Sequence, residues 1–178
     1  MEWDIVKSDI AYRCRIFSVR RDESRSQQSG ESHDFHVIET RDWVNIIPVT
    51  KDEQVVMVRQ FRHGIRALTL EVPAGIIDDA DPSPAIAATR ELREETGYAA
   101  GAVVALGAVH PNPAIMNNRC HMFAAFDAEK VGEQALDATE ELSVETVPLI
   151  EIPALIRSGA ISNALTIVAF QLLGLVER

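Results

Sequence analysis

The pattern of apolar and polar positions reads as β structure over the first fifty residues, continues in strands as far as residue 72, and then changes period. Residues 10–19 (IAYRCRIFSV) partly alternate apolar and polar side chains, the period-2 signature of a half-buried strand. Residues 35–39 (FHVIE), 43–49 (WVNIIPV), 54–61 (QVVMVRQF) and 68–72 (LTLEV) extend the series, with Lys51, Asp52 and Glu53 as a turn. Residues 21–32 are polar and rich in Ser and Gln, which predicts a mobile hairpin loop. The period lengthens after Pro82. Ser83 is a suitable N-cap, Pro84 fits the first helical position, residues 85–96 are rich in helix formers, and Gly97 sits where a C-terminal cap belongs. Further strands are expected at 103–109, 119–126 and 142–149, and helices at 150–157 and 163–176. Strands on both sides of a central helix, with more helix at the end, predict an α+β fold around a mixed sheet.

Composition narrows the class. A chain of 178 residues with 47% hydrophobic positions has the material for one compact domain with a core. Its 27 acidic against 17 basic residues leave a formal charge of −10, which argues against non-specific binding to nucleic acid or to an anionic membrane. A phosphate-bearing substrate remains compatible with that charge, because a divalent cation reverses the local sign. Cys14 and Cys120 stand far apart with no metal-ligand spacing, so both read as reduced thiols. The N-terminal MEWDIVKSDI has no signal-peptide pattern. The most apolar stretch, 161–176, is short for a membrane span and is interrupted by Ser162, Asn163 and Gln171. A cytoplasmic location is the expectation.

The chemistry is carried by residues 75–98, GIIDDADPSPAIAATRELREETGY. At about 100° per residue, Glu91, Glu94 and Glu95 fan across one helical face within a turn. Like charges at that spacing repel, and the helix macrodipole disfavours anions toward the C-terminal end. A divalent cation would convert repulsion into coordination, and hard carboxylate ligands suit magnesium or manganese. Taken alone, the segment reads more readily as a solvated charged face paired by Arg90 and Arg93. The wider pattern changes that. Residues 90–97 (RELREETG) and the upstream Gly75 resemble the box of the Nudix hydrolases, GX5EX7REUXEEXGU, where U is bulky and apolar.

Two positions depart from the box. The interval from Gly75 to Arg90 is one residue longer than the pattern, and the first Glu is missing. Counting forward from Gly75 reaches Asp81, and counting back from Arg90 reaches Pro82. In the family that Glu mainly supports the loop and helix, so the departure bears on loop rigidity more than on catalysis.

The resemblance implies a Nudix fold, with a mixed sheet sandwiched between helices and an N-terminal antiparallel β region. It divides the chain into residues 1–50, used for dimerisation, and 51–178, the hydrolase domain. It implies that Glu91 and Glu95 ligate the metals, that Glu94 is a ligand or stands just behind one, that Arg90 orients these carboxylates, and that the Ala74 carbonyl completes the metal shell.

Outside the box, VRQFR at 58–62 and LEVPAG at 70–75 resemble the ADP-ribose and sugar-nucleotide pyrophosphatase branch. In that branch Arg62 grips phosphate, a task its planar fork suits. Glu71 is either a substrate-side carboxylate or the partner of a nearby arginine. Trp43 either packs in the core or stacks on the base. The HPNPA segment at 110–114 predicts a fixed, extended loop. Glu140 and Glu141 are the candidates for a general base on a mobile loop. The expected reaction is magnesium-dependent cleavage of the pyrophosphate bond of ADP-ribose or a related nucleoside diphosphate sugar, by a homodimer. A GDP-mannose or UDP-sugar hydrolase, or a Nudix-fold module that binds a nucleotide without hydrolysing it, are the alternatives.

Overall fold

Ion pairing, more than apolar alternation, builds the N-terminal strands. The computed structural model of the protein describes residues 2–137 and 140–174. It divides into two units, Met1–Asp42 with His110–Arg119, and Trp43–Val109 with Cys120–Arg178. The first unit is a three-stranded antiparallel sheet of β1 (Trp3–Arg13), β2 (Ser18–Ser26) and β3 (Ser32–Glu39) in that spatial order.

Three sequence expectations fail here. The strand expected over 10–19 is broken, because Cys14 turns the chain: its N–H donates to the Phe17 carbonyl at 2.9 Å and its thiol to the same oxygen at 3.3 Å. The loop expected over 21–32 is strand as far as Ser26. Its charges are paired across and along the strands, Arg20 with Asp22 (2.9 Å) and Glu39, and Arg21 with Asp9 (3.1 Å). Opposite charges facing one another in a sheet stabilise strands that apolar periodicity does not mark. The reversal itself is confined to the few residues after Ser26, whose hydroxyl accepts from Gln28 and Ser29 N–H, both at 3.2 Å. The HPNPA segment also differs from expectation. It closes as a tight turn, with Ile115 and Met116 N–H donating to the Asn112 carbonyl (3.1 and 2.8 Å), and Ile115 then joins β3 through Ile38 N–H (2.7 Å).

The second unit holds a seven-stranded mixed sheet. Its strands are β4 (Trp43–Val49), β5 (Gln54–Arg62), β6 (Ala67–Glu71), β7 (Ala74–Ile76), β9 (Ala102–Val109), β10 (Cys120–Phe126) and β12 (Leu142–Pro148). The short strands β8 (Tyr98–Ala99) and β11 (Glu129–Lys130) pair with each other apart from it. The main path runs β12-β5-β4-β10-β9, with β6 beside β5 and β7 beside β4. β4 and β10 are parallel, Trp43 opposite Cys120, and the remaining pairs are antiparallel. Trp43–Val49, grouped with the N-terminal β region on sequence grounds, therefore lies in the middle of the larger sheet.

Period-2 alternation assigns the two faces of this sheet. Val44 and Ile46 on β4, with Phe123 and Ala125 on β10, pack on Ala87, Ala88 and Leu92 of helix α1 (Pro84–Thr96). Ile47 and Val49, with Cys120, Met122 and Ala124, pack on the opposite side, against Ile152 of α2 (Ile152–Ser158) and Ala169 and Leu173 of α3 (Ala164–Leu173). The result is a sheet between helices, which is why β4 and β10 are buried through almost their whole length.

The helix ends follow the residues that predict them. Ser83 accepts from Ile86 N–H, and Gly97 takes a left-handed φ of 72° while its N–H closes on Arg93. Asn163 caps α3 by accepting from Leu165 and Thr166 N–H at 2.9 and 3.1 Å. The helix expected over 163–176 is described from Ala164 to Leu173, and residues 175–176 lie outside the described residues. Among the described residues no helix is long and apolar enough to cross a membrane.

Candidate active site

The acidic face of α1 packs against β7 through one glycine. A Cβ at Gly75 would stand 2.1 Å from the Glu91 carboxylate, so any larger residue there would displace that side chain. One residue earlier, Ala74 N–H donates to Glu95 at 3.0 Å. Glu91 and Glu95 are both buried, at 8% and 3% exposure, whereas the Glu94 side chain is 41% exposed. One helical turn thus carries two shielded carboxylates and one at the surface.

Arg90 organises the rest. Its Nε and Nη2 grip Asp81 at 3.1 and 2.8 Å, its Nη1 reaches Glu91 and Glu94, each at 2.9 Å, and Nη2 also donates to the Ile76 carbonyl at 3.2 Å. Asp81 is the residue reached by counting forward from Gly75. It supplies a carboxylate to the box arginine where the pattern has Glu, and the 77–83 loop is tied to the helix through it.

The electrostatics are unbalanced in one direction. The hydrogen bonds from Arg90 hold Asp81 below its usual carboxylate value. Burial pushes Glu91 up to about 7 against the pull of Arg90, with repulsion from Glu94 and Glu140 adding to the rise. Burial pushes Glu95 up to about 8; the Ala74 N–H opposes this, and repulsion from Glu91 and Glu140 reinforces it. Two buried carboxylates lack enough positive charge, which is the condition a dication relieves.

Among the described residues no three acidic, histidine or cysteine side chains converge as a ready-made metal cage. Glu91 and Glu94 lie on Arg90 and Glu95 lies on Ala74 N–H instead. The donor set still fits a hard divalent cation, since it is made of carboxylate oxygens whose charge is otherwise uncompensated. The substrate's own oxygens would complete such a shell.

A cavity of about 350 Å³ opens beside this face, lined by residues that include Trp43, Asn45, Arg62, Glu71, Ala74 and Asn163. Four residues singled out from sequence, Trp43, Arg62, Glu71 and Ala74, therefore meet in one cleft. Arg62 and Glu71 form a two-point pair at 2.9 and 2.7 Å, and Thr69 donates to the same carboxylate at 2.6 Å. Burial raises Glu71, but the bonds from Arg62 and Thr69 outweigh it and hold the group below its usual value. Of its two sequence readings, Glu71 takes the partner of an arginine. Trp43 packs against the core cluster on the α2–α3 side, as its core reading has it, and also lines the cleft.

The two loop acids separate. Glu140 and Glu141 are both exposed, but Glu140 lies near enough to repel Glu91 and Glu95, and it exchanges hydrogen bonds with Asp137 (2.9 and 3.0 Å). The loop is anchored on the end of α1. Ala135 N–H donates to the Glu94 carbonyl at 2.8 Å, Gln134 Nε2 to the Glu95 carbonyl at 2.7 Å, and Val131 and Gly132 N–H to that of Gly97. These bonds satisfy carbonyls that a helix end leaves open. Sequence reasoning missed Gln134 and Thr69. A Thr two residues before a strand carboxylate shares its face, which was a usable signal for Thr69. Nothing local marks Gln134.

Comparison with known proteins decides the family. The Nudix domain family matches residues 39–165, well over half of the chain. The chain belongs to the Nudix family. It is 33% identical over 135 residues to an ADP-ribose pyrophosphatase of Bacillus subtilis, covering 75% of this chain and 72% of that one. It is 33% identical over 125 residues to a GDP-mannose pyrophosphatase of Pectobacterium atrosepticum, covering 66% and 64%. A solved structure described as an ADP compounds hydrolase superposes with a TM-score of 0.86 over 97% of this chain and 92% of its own, at 23% identity, which bears on the Nudix fold alone.

Proposed function

We propose that this Nudix hydrolase cleaves the pyrophosphate bond of ADP-ribose or a related nucleoside diphosphate sugar, with magnesium or manganese, giving a nucleoside monophosphate and a sugar phosphate. The observation that carries the reading is the buried, undercompensated Glu91–Glu95 pair behind the Ala74–Gly75 wall of a cleft that Arg62 lines. Glu91 and Glu95 would hold the cations, with Glu94 at the rim and the Ala74 carbonyl as a further oxygen. When bound, divalent cations neutralise diphosphate oxygens and make a coordinated water more acidic.

The protein's own groups account for the remaining roles. Arg62, held by Glu71, donates charge-assisted hydrogen bonds to a phosphate oxygen. Arg90 holds Glu91 and Glu94 in place and is itself held by Asp81. Trp43 offers an aromatic wall to base or sugar. Glu140 takes a proton from the attacking water as its oxygen bonds to phosphorus and the bridging P–O bond breaks. The bridging oxygen leaves with the departing phosphate.

A substrate panel with magnesium tests the reading, comparing ADP-ribose, GDP-mannose, UDP-glucose and dinucleoside polyphosphates. Hydrolysis of ADP-ribose above the others supports it. Preference for GDP-mannose favours the second sugar-nucleotide reading, and inactivity on all of them in a folded, metal-loaded sample leaves a binding module. We further propose a cytoplasmic homodimer formed through the N-terminal sheet. That sheet leaves Trp3, Ile5, Ile10, Tyr12 and Phe35 exposed, with Trp3 packed edge-on to Phe35 at 5.1 Å. Sedimentation at the monomer mass would exclude the dimer.

A further inference from the structure

The Gln60 side chain carries a polar group that strand pairing leaves unused. It lies on β5, where Val55 and Met57 face the α2–α3 side of the sheet. Alternation places Gln60 and Arg62 together on the opposite face, the one that carries α1. The neighbours agree. Arg62 feels the charge of Glu95 on α1. Gln60 stands opposite Thr69, whose hydroxyl donates to the Gln60 carbonyl (3.3 Å) and to Glu71. On its other side Gln60 stands opposite Leu142, the residue that follows the Glu140–Glu141 pair. Gln60 is thus bracketed by the phosphate-gripping arginine two residues along its own strand and by the root of the loop that carries Glu140.

Its Nε2 is shielded from solvent and has no hydrogen-bond partner among the described residues. A shielded amide donor without an acceptor is costly to keep, and a methionine or leucine of similar size would avoid that cost. A donor without an acceptor, two residues before the arginine that lines the cleft, matches a ligand made of acceptors. Two of the five Arg62 N–H donors are spent on Glu71, which leaves oxygens of such a ligand for a second donor.

We propose that Gln60 is a substrate-binding residue whose Nε2 donates to an oxygen of the substrate diphosphate next to the one held by Arg62. The proposal rests on the functional reading above and adds a specific contact to it. It makes Gln60 act on binding more than on the chemical step, since the donor meets ground state and transition state alike.

Gln60→Met is the decisive variant, because it keeps length and removes the donor. Three quantities are read on wild type and variant: steady-state kinetics with ADP-ribose and magnesium, calorimetric Kd for ADP-ribose without metal, and Tm. The expected result is a rise of about tenfold in KM and Kd, the loss of one bond to a charged acceptor, with kcat nearly unchanged and Tm equal or higher. Gln60→Glu, which sets an anion against the diphosphate, should raise KM further. An unchanged KM and Kd in Gln60→Met overturns the proposal. So does a raised KM accompanied by a fall in Tm, which would mean that the amide serves the fold. Should wild type neither bind nor hydrolyse ADP-ribose, the functional reading falls on its own. The contact is then read from binding of inorganic pyrophosphate, where weaker affinity in Gln60→Met supports it and equal affinity overturns it.

Discussion

Arg20 in the N-terminal sheet and Arg90 on α1 both sit among acids, yet the acids respond in opposite ways. Arg20 serves Asp22 and Glu39, and Ser8 adds a hydroxyl to Asp22. Asp22 is held below its usual value, chiefly by the bond from Arg20. Arg90 serves Asp81, Glu91 and Glu94, with Glu95 and Glu140 close by. Asp81 is pulled down as Asp22 is, while Glu91 and Glu95 are pushed up to about 7 and 8. Arg20 meets two acids, whereas Arg90 meets three with two more close by. The lighter cluster holds strands together, whereas the crowded one keeps a charge excess whose use, on the function proposed above, appears only when a cation and a substrate arrive.

The largest effect that would sharpen this contrast is at Glu95. Glu95→Gln keeps an acceptor for Ala74 N–H and removes a buried charge that repels its neighbours. Turnover of ADP-ribose should fall on the order of 10³-fold, the scale of losing several kcal/mol of cation-based stabilisation. Tm in metal-free buffer should hold or rise. Paired kinetics and thermal melts check it. An active Glu95→Gln enzyme, or an inactive one that has also lost several degrees of Tm, would place the α1 cluster in the same structural class as the Arg20 cluster.

A smaller effect separates the two loop acids. Only Glu140 contributes to the charge excess felt by Glu91 and Glu95, so it alone should matter to the proton transfer. Glu140→Ala is expected to lower kcat about 10²-fold, within the usual span for a general base, while Glu141→Ala stays within about twofold, as for an ordinary surface change. Equal and small losses in both would remove the loop from the mechanism.

How much of this was readable beforehand follows from the type of force involved. The central sheet and α1 were legible, because Val44, Ile46, Ile47 and Leu92 are placed by apolar period and Ser83 and Gly97 by capping chemistry. The meeting of Arg62 with Glu71 was open between two outcomes, since nothing local fixes which carboxylate a strand arginine will face. The role of Asp81 lay between two counts of the same loop, and the bidentate bond to Arg90 decides it. The N-terminal sheet was the least legible part. Arg20, Arg21 and Asp22 look like loop residues by composition, and only pairing with Asp9, Ser8 and Glu39 makes a strand of them. Gln134 was invisible for a related reason: the carbonyl it caps is a property of where α1 ends in space.

The smallest effect tests the Arg20 side of the comparison. Asp22→Asn should leave kcat for ADP-ribose unchanged and lower Tm at pH 7 by roughly 2–4 °C, the shift that about 1 kcal/mol produces in a chain of this size. Its pH dependence has a definite sign. The folded-state value of Asp22 lies below its ordinary 3.8. The stability it contributes is therefore full above 3.8 and is lost as pH falls through the lowered folded value. The Tm gap between wild type and Asp22→Asn should accordingly be widest near neutral pH and close progressively below pH 3.8. A gap that widened in acid would mean that Asp22 is repelled by its surroundings, as Glu91 and Glu95 are. The two arginine clusters would then differ only in position, and the distinction between a structural and a poised charge network in this protein would be lost.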